Sequence, residues 1–406
     1  MPKLKEVIIS ITNRCNFKCR MCDIPNNKIG ELSTASWKQV IKDAVLYGAR
    51  SIIFSGGEPL LREDICELIS FTKNNSLGAC LTSNGYLINQ EAAYKLYQSG
   101  IDVVNISIEG PKHIHDYLRG KGMYERALLA LENLRKEKIE STIATMVSRY
   151  NYKYLPDIVE LARQYGVTTI KFQPFSKIFL NNQRDENGFL ISEKEIKKLT
   201  LIIKEVMRIS NEYAIAVNPA GYLEMIPFYL GRQYTGPNNG CAALESSCPI
   251  NCNGDIYPCW VIAGQDALIG NIKENSFLDI WDSKRHRRVI EKIKKEGCPG
   301  CMMSCYDENF GKESIERRIV MRARQLQKNG IGAVTRSFLK RWIKRLKFYG
   351  SYRGSFKETI RRVRGLFRKE KLSQAGISTE EIDKVSREID AVRGMFEKEM
   401  KCAIKR

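Results

Sequence analysis

The sequence predicts an α/β chain in four parts. Residues 1–210 read as a partial (β/α)6 barrel and 211–240 as a connector. Residues 241–310 read as a small cysteine-rich domain, and 311–406 as a basic, mostly helical extension. Three observations predict this. Six short β-branched runs alternate with longer amphipathic ones up to about residue 210. Those runs are near-continuously apolar, as in parallel strands covered on their outer face. Beyond residue 240 the pattern breaks, and cysteines and then positive charge collect there.

The six strands are EVIISI, SIIFS, GACLT, DVVNISI, STIATMV and TTIKFQP. Helical patterns such as ASWKQVIKDAVLYG, DICELISFTKN and YERALLALENLRKEK lie between them. Repeated βα units place functional loops at the C-terminal ends of the strands. The pieces after residue 211 are rich in Pro and Gly, as a connector should be.

Hydrophobic residues make up 43% of the 406, enough for a core. No apolar run approaches the ~20 residues of a spanning helix, and the N-terminus carries no signal-peptide pattern. A cytoplasmic chain is expected. In a reducing compartment, 13 cysteines point to metal ligation rather than to disulfides. The net charge of +20 is unevenly spread: residues 311–406 hold 27 Lys and Arg against 11 Asp and Glu, a net of +16. Such asymmetry fits an anionic partner.

Two cysteine groups stand out. Cys15, Cys19 and Cys22 form CxxxCxxC in the loop after the first strand. Soft thiolates packed so closely select zinc or an iron–sulfur cluster, and no fourth Cys or His lies near in sequence. The second group is Cys241, Cys248, Cys252, Cys259, Cys298, Cys301 and Cys305. A zinc ribbon is the plain alternative for its CxxC pairs.

Together with the strand-end motifs, CxxxCxxC resembles the signature of the radical S-adenosylmethionine (SAM) enzymes. FSGGEPLLRED, after the second strand, is similar to their GGEP motif; LTSNG and NISIEGP follow the third and fourth. The resemblance implies a TIM-like partial barrel in which Cys15, Cys19 and Cys22 hold a [4Fe–4S] cluster and SAM takes the open iron. It carries SAM contacts over to Gly56, Gly57, Glu58 and Pro59, with Ser83, Asn84 and Ser107 nearby and Met21 packing on adenine. Glycines let backbone approach closely, and Glu58 offers acceptors to an ammonium. The HD..RGKG run at His115, Asp116, Arg119, Gly120 and Gly122 is expected to be structural.

Residues 241–305 resemble the SPASM and twitch domains that hold auxiliary [4Fe–4S] clusters. The ligands implied are Cys241, Cys259, Cys298 and Cys301, with Cys305, Cys248 and Cys252 as competitors. Trp260 stands where alcohol-oxidising relatives carry an Asp base, so that chemistry is not expected. The expected reaction is reductive cleavage of SAM to a 5′-deoxyadenosyl radical, which abstracts hydrogen from a substrate carbon. Flavodoxin or ferredoxin is the expected reductant.

RSFLKRWIKRLKFY, residues 336–349, sets Trp and Phe among cations at helical spacing. That pattern suits an anionic membrane surface more than nucleic acid, with a helix packed on the barrel and its charges solvated as the structural alternative; the surface reading gives an expected peripheral position at the membrane's inner face. A lipid-linked or envelope-associated substrate follows. A peptide (RiPP) maturase is the alternative enzyme, weakened because the chain begins at the first strand. A non-catalytic iron–sulfur or zinc protein is the alternative of another class; GGEP argues against it.

Overall fold

The computed structural model describes residues 4–180, 187–234, 241, 243–262, 265–298 and 300–303. Cys305 and the whole basic extension lie outside these residues. Apart from residues 211–216, the described chain forms one compact unit.

Six parallel strands build the core: β1 (Glu6–Thr12), β2 (Ser51–Gly56), β3 (Gly78–Ser83), β4 (Val103–Ser107), β5 (Glu140–Val147) and β6 (Thr169–Pro174). Each pairs with the next in sequence order. The connecting helices are α1 (Thr34–Leu46), α2 (Ile65–Asn74), α3 (Gln90–Gln98), α4 (Lys112–Arg119), α5 (Met123–Lys136) and α6 (Leu155–Gln164). Val7, Ile9, Ile52, Phe54, Ala79, Leu81, Val104 and Ile106 are fully buried, so alternate strand residues seal against these helices. Ser33 and Asn89 cap α1 and α3 by accepting from the amides of Ser36 and Ala92.

The helix α7 (Glu193–Glu212) follows β6. Residues 220–230, within the stretch read as a connector, form a further helix, α8 (Ala220–Leu230). It buries Tyr222, Leu223, Ile226 and Leu230 completely, as a structural layer does. After a one-turn helix α9 (Ala243–Ser246), strand β7 (Ser247–Ile250) pairs in parallel with β1, from Glu6–Ser247 to Ile9–Ile250. The cysteine-rich segment therefore continues the barrel sheet. Short antiparallel strands β8 (Asp255–Ile256) and β9 (Gly270–Asn271) extend it further. Two helices follow: α10 (Phe277–Ile280) and α11 (Lys284–Glu296). Tyr47, at the end of α1, donates to the carbonyls of Leu278 and Trp281 and so fixes α10 on the barrel. Among the described residues no helix is long and apolar enough to cross a membrane.

Candidate functional site

The loop after β1 carries Cys15, Cys19 and Cys22 on the C-terminal face of the sheet, where the strand-end motifs meet it. Gly57 N–H donates to the Thr12 carbonyl at 2.7 Å, and Glu58 N–H to that of Arg14 at 2.8 Å. This contact explains the paired glycines. A Cβ on Gly56 would lie 2.3 Å from the Thr12 carbonyl oxygen, and one on Gly57 2.1 Å from that of Arg14. Gly56 also has φ +126, where L side chains are strained. Close approach is needed, as the sequence implied, but the backbone approached is the cysteine loop itself.

Glu58 is fully buried. Its Oε1 accepts from Ser83 Oγ at 3.0 Å and Leu60 N at 3.2 Å, and its Oε2 from Asn84 N at 2.8 Å. Burial pushes its carboxyl up to about 7, against the opposing pull of these donors. Its carboxylate thus joins the GGEP turn to SNG. Asn84 completes the junction: its Nδ2 donates to Asn16 Oδ1 at 2.8 Å and lies 3.9 Å from Cys15 Sγ. Pro59, buried, opens the turn after Glu58; Met21 is buried in the cysteine loop; Ser107 ends β4, half-buried, on the same face.

The three thiols are held up mainly by desolvation, Cys15 to about 11. Backbone N–H groups oppose this, Phe17 N donating to Cys15 Sγ at 3.4 Å. Iron must therefore displace protons on binding. Three residues supporting the loop were not singled out from the sequence: Glu31, Arg62 and Glu109. Glu31 accepts from Thr12, Arg14 Nε at 3.0 Å and Arg62 Nη1 at 3.1 Å, and Arg62 also pairs with Asp64. Glu109, completely buried, pairs with Arg119, whose Nη1 reaches 3.9 Å from Cys19 Sγ. The signal for Glu109 lay in NISIEGP, a family-like stretch, and that for Arg119 in the HD..RGKG run expected to be structural. His115 is structural as expected: buried, pushed down to about 3, its Nδ1 accepting from Glu109 N–H. Asp116 caps α5 by accepting from Gly122 and Tyr124 N–H.

In the second field, Cys241 and Cys298 lie close enough to Cys259 and Cys301 to raise the proton affinity of both. Burial is the larger cause, taking Cys259 up to about 11 and Cys301 to about 12. Cys248 stands apart in β7, and burial alone raises it. Cys252 faces Glu31 and Arg62, and its carbonyl takes Leu32 N–H at 2.7 Å. Trp260 is half-buried and lines a small apolar cleft with Ile8, Pro249, Cys259 and Met303. Among the described residues no three His, Cys, Asp or Glu side chains gather as tightly as one metal ion requires. A cubane cluster spreads its thiolates more widely, because each binds a separate iron, and both donor sets suit it chemically.

Comparison with known proteins shows the family. The Radical SAM superfamily model matches residues 9–162, and an iron–sulfur cluster-binding domain model (SPASM) matches 241–306. The chain is 34% identical over 335 residues to an Fe-coproporphyrin III synthase of Methanosarcina barkeri, spanning 74% of this chain and 81% of the relative. It is 25% identical over 315 residues to a PqqA peptide cyclase of Xanthomonas campestris, spanning 74% and 80%. The solved structure of SuiB of Streptococcus suis bound to S-adenosylmethionine shares the fold. Its TM-score is 0.58 at 18% identity, over 72% of this chain and 68% of that one.

Proposed function

Because the chain belongs to the radical SAM superfamily and carries a C-terminal iron–sulfur cluster-binding domain, we propose that it abstracts hydrogen from a carbon of an organic substrate, with Cys15, Cys19 and Cys22 as ligands of the SAM-binding cluster. That it is a radical SAM enzyme with an auxiliary cluster domain follows from the family; the ligands and the substrate are our reading. The cluster, when bound and reduced, supplies the electron that cleaves SAM to methionine and a 5′-deoxyadenosyl radical.

One observation carries the site: Asn84 bonds Glu58 through its backbone and approaches Cys15 through its side chain. The cysteine loop, GGEP and SNG thus meet at a single point. In this reading Glu58 holds the two segments in register, and the turn from Gly56 to Pro59 offers its backbone to the methionine end of SAM. Ser83 and Ser107 supply hydroxyls on the same face, and Met21 gives adenine an apolar contact. Cys241, Cys259, Cys298 and Cys301 are the auxiliary ligands we favour, with Cys305 as a further candidate. An acidic one-electron carrier such as flavodoxin or ferredoxin delivers the electron.

The substrate we favour is lipid-linked or envelope-associated, because the +16 extension suits an anionic surface. A peptide substrate is the second reading, favoured by the similarity to a peptide cyclase.

Anaerobic reconstitution tests the proposal. Wild-type protein is expected to form 5′-deoxyadenosine when reduced in the presence of SAM. The triple Ala variant of Cys15, Cys19 and Cys22 is expected to form none while keeping about four irons. Product from that variant, or no product from iron-loaded wild type, sinks the assignment.

A further inference from the structure

Resting on the reading that Cys15, Cys19 and Cys22 hold the SAM-binding cluster, we propose that Arg119 is a positioning residue that raises this cluster's reduction potential, with Glu109 as the counter-charge that aims it. The geometry is specific. Arg119 ends α4, and its side chain is only 15% exposed. Its Nε and Nη2 both donate to Glu109 Oε1, at 2.8 and 2.6 Å. The remaining arm, Nη1, points at Cys19 Sγ from 3.9 Å. The guanidinium thus spans a carboxylate and a thiol that are ninety residues apart in sequence.

Glu109 is itself fixed at every polar atom. Oε2 accepts from Met146 N of β5 at 2.8 Å, its carbonyl from Asn151 Nδ2 at 2.8 Å, and its N–H donates to His115 Nδ1 at 3.2 Å. The carboxylate cannot swing away, so the fork on it is held in one direction. The neighbouring Asp116 is turned to Lys112 and to the amides that start α5. A rigid planar fork serves here as a lysine could not, because a single ammonium has no second, oppositely aimed arm.

A fixed cation donating to a ligand sulfur stabilises the state that carries the added electron. Hydrogen bonds to sulfur and nearby charge are among the main controls of a cluster's potential. Here the cation is desolvated, so its field is weakly screened. Glu109 partly offsets it, and therefore has the opposite effect on the cluster.

The test is an EPR-monitored redox titration of the reconstituted holoprotein, following the signal that changes when SAM is added. At a fixed potential near the wild-type midpoint, Arg119→Gln is expected to lower the ratio of reduced to oxidised clusters about tenfold, a shift of about 59 mV for one electron. Arg119→Lys is expected to fall in the same direction by less, and Glu109→Gln to shift the opposite way. Unchanged midpoints at full iron content overturn the proposal, as does failure of all three variants to take up iron, which would mark a folding role. A wild type with no SAM-responsive signal instead overturns the cluster reading on which the proposal rests.

Discussion

Glu58 sits in the barrel with three donors and, among the described residues, no salt-bridge partner, and this makes it a pH-sensitive point in the fold. Its carboxyl is raised to about 7 from 4.5 by burial. The folded protein therefore binds this proton more tightly than the unfolded chain does. Its contribution to stability is greatest below about 4.5 and is lost as pH rises through about 7. The size is roughly 3 kcal/mol, at 1.36 kcal/mol per unit. Comparing wild type with Glu58→Gln by denaturant unfolding at pH 4.5 and 8 should show the variant gaining about that much relative to wild type at the higher pH. A constant difference between the two proteins would refute the assignment. His115, pushed down to about 3, contributes a slope of the opposite sign, but it is common to both proteins and cancels. Such residues explain what was legible at this scale. GGEP and CxxxCxxC were readable because each is a local run. The Glu109–Arg119–Cys19 chain was not, because it joins the loop after β4 and the end of α4 to the cysteine loop, which only the barrel brings near.

At the scale of elements, all six barrel strands were readable, and each lies within a residue of its predicted span. Strands of a parallel sheet covered by helices leave a near-continuous apolar signature that local sequence carries. The elements missed are those whose signal is weak or whose partner is distant. Helix α4 is short and polar, and it looked like a loop. Helix α8 contains Pro227 and starts within a Pro-Ala-Gly run, with Pro219 just before its first residue. Strand β7 is four residues with a central proline, and it becomes a strand only by pairing with β1, some 240 residues earlier. Helix α8 matters because its Tyr222, completely buried, donates to the Met302 carbonyl at 2.6 Å. Gln173 of β6 also reaches Met303 Sδ, at 3.6 Å. The closing cysteine segment is thus anchored to α8 and to the last barrel strand. Tyr222→Phe leaves the Met302 carbonyl without this donor, a loss of about 1–3 kcal/mol. It should lower the unfolding midpoint and speed chelator removal of the auxiliary cluster's iron, with the SAM-binding cluster unaffected. Equal iron-loss rates in variant and wild type would dissociate the anchor from the cluster.

For the molecule as a whole, the two cysteine-bearing segments are tied to one sheet. β7 continues β1, and Leu32, downstream of the first field, bonds the backbone of Cys252 in the second. A shared sheet holds the two proposed ligand sets on one body. The charge is divided differently. Residues 1–310 carry a net of only +4, so the strong positive field belongs to residues 311–406. That division makes a prediction separable from catalysis. If the extension recognises anionic lipid, full-length protein should co-sediment with vesicles containing phosphatidylserine or phosphatidylglycerol but not with purely zwitterionic ones. Each cation near the surface contributes about 1 kcal/mol, so removing four of them across 336–349 should weaken binding by orders of magnitude. Raising the salt should weaken it further, because the attraction is screened within about a Debye length. 5′-Deoxyadenosine formation without substrate should stay unchanged in that variant, since none of the proposed cluster ligands lies in that segment. Equal binding to both kinds of vesicle would remove the membrane reading, and with it the case for a lipid-linked substrate over a peptide.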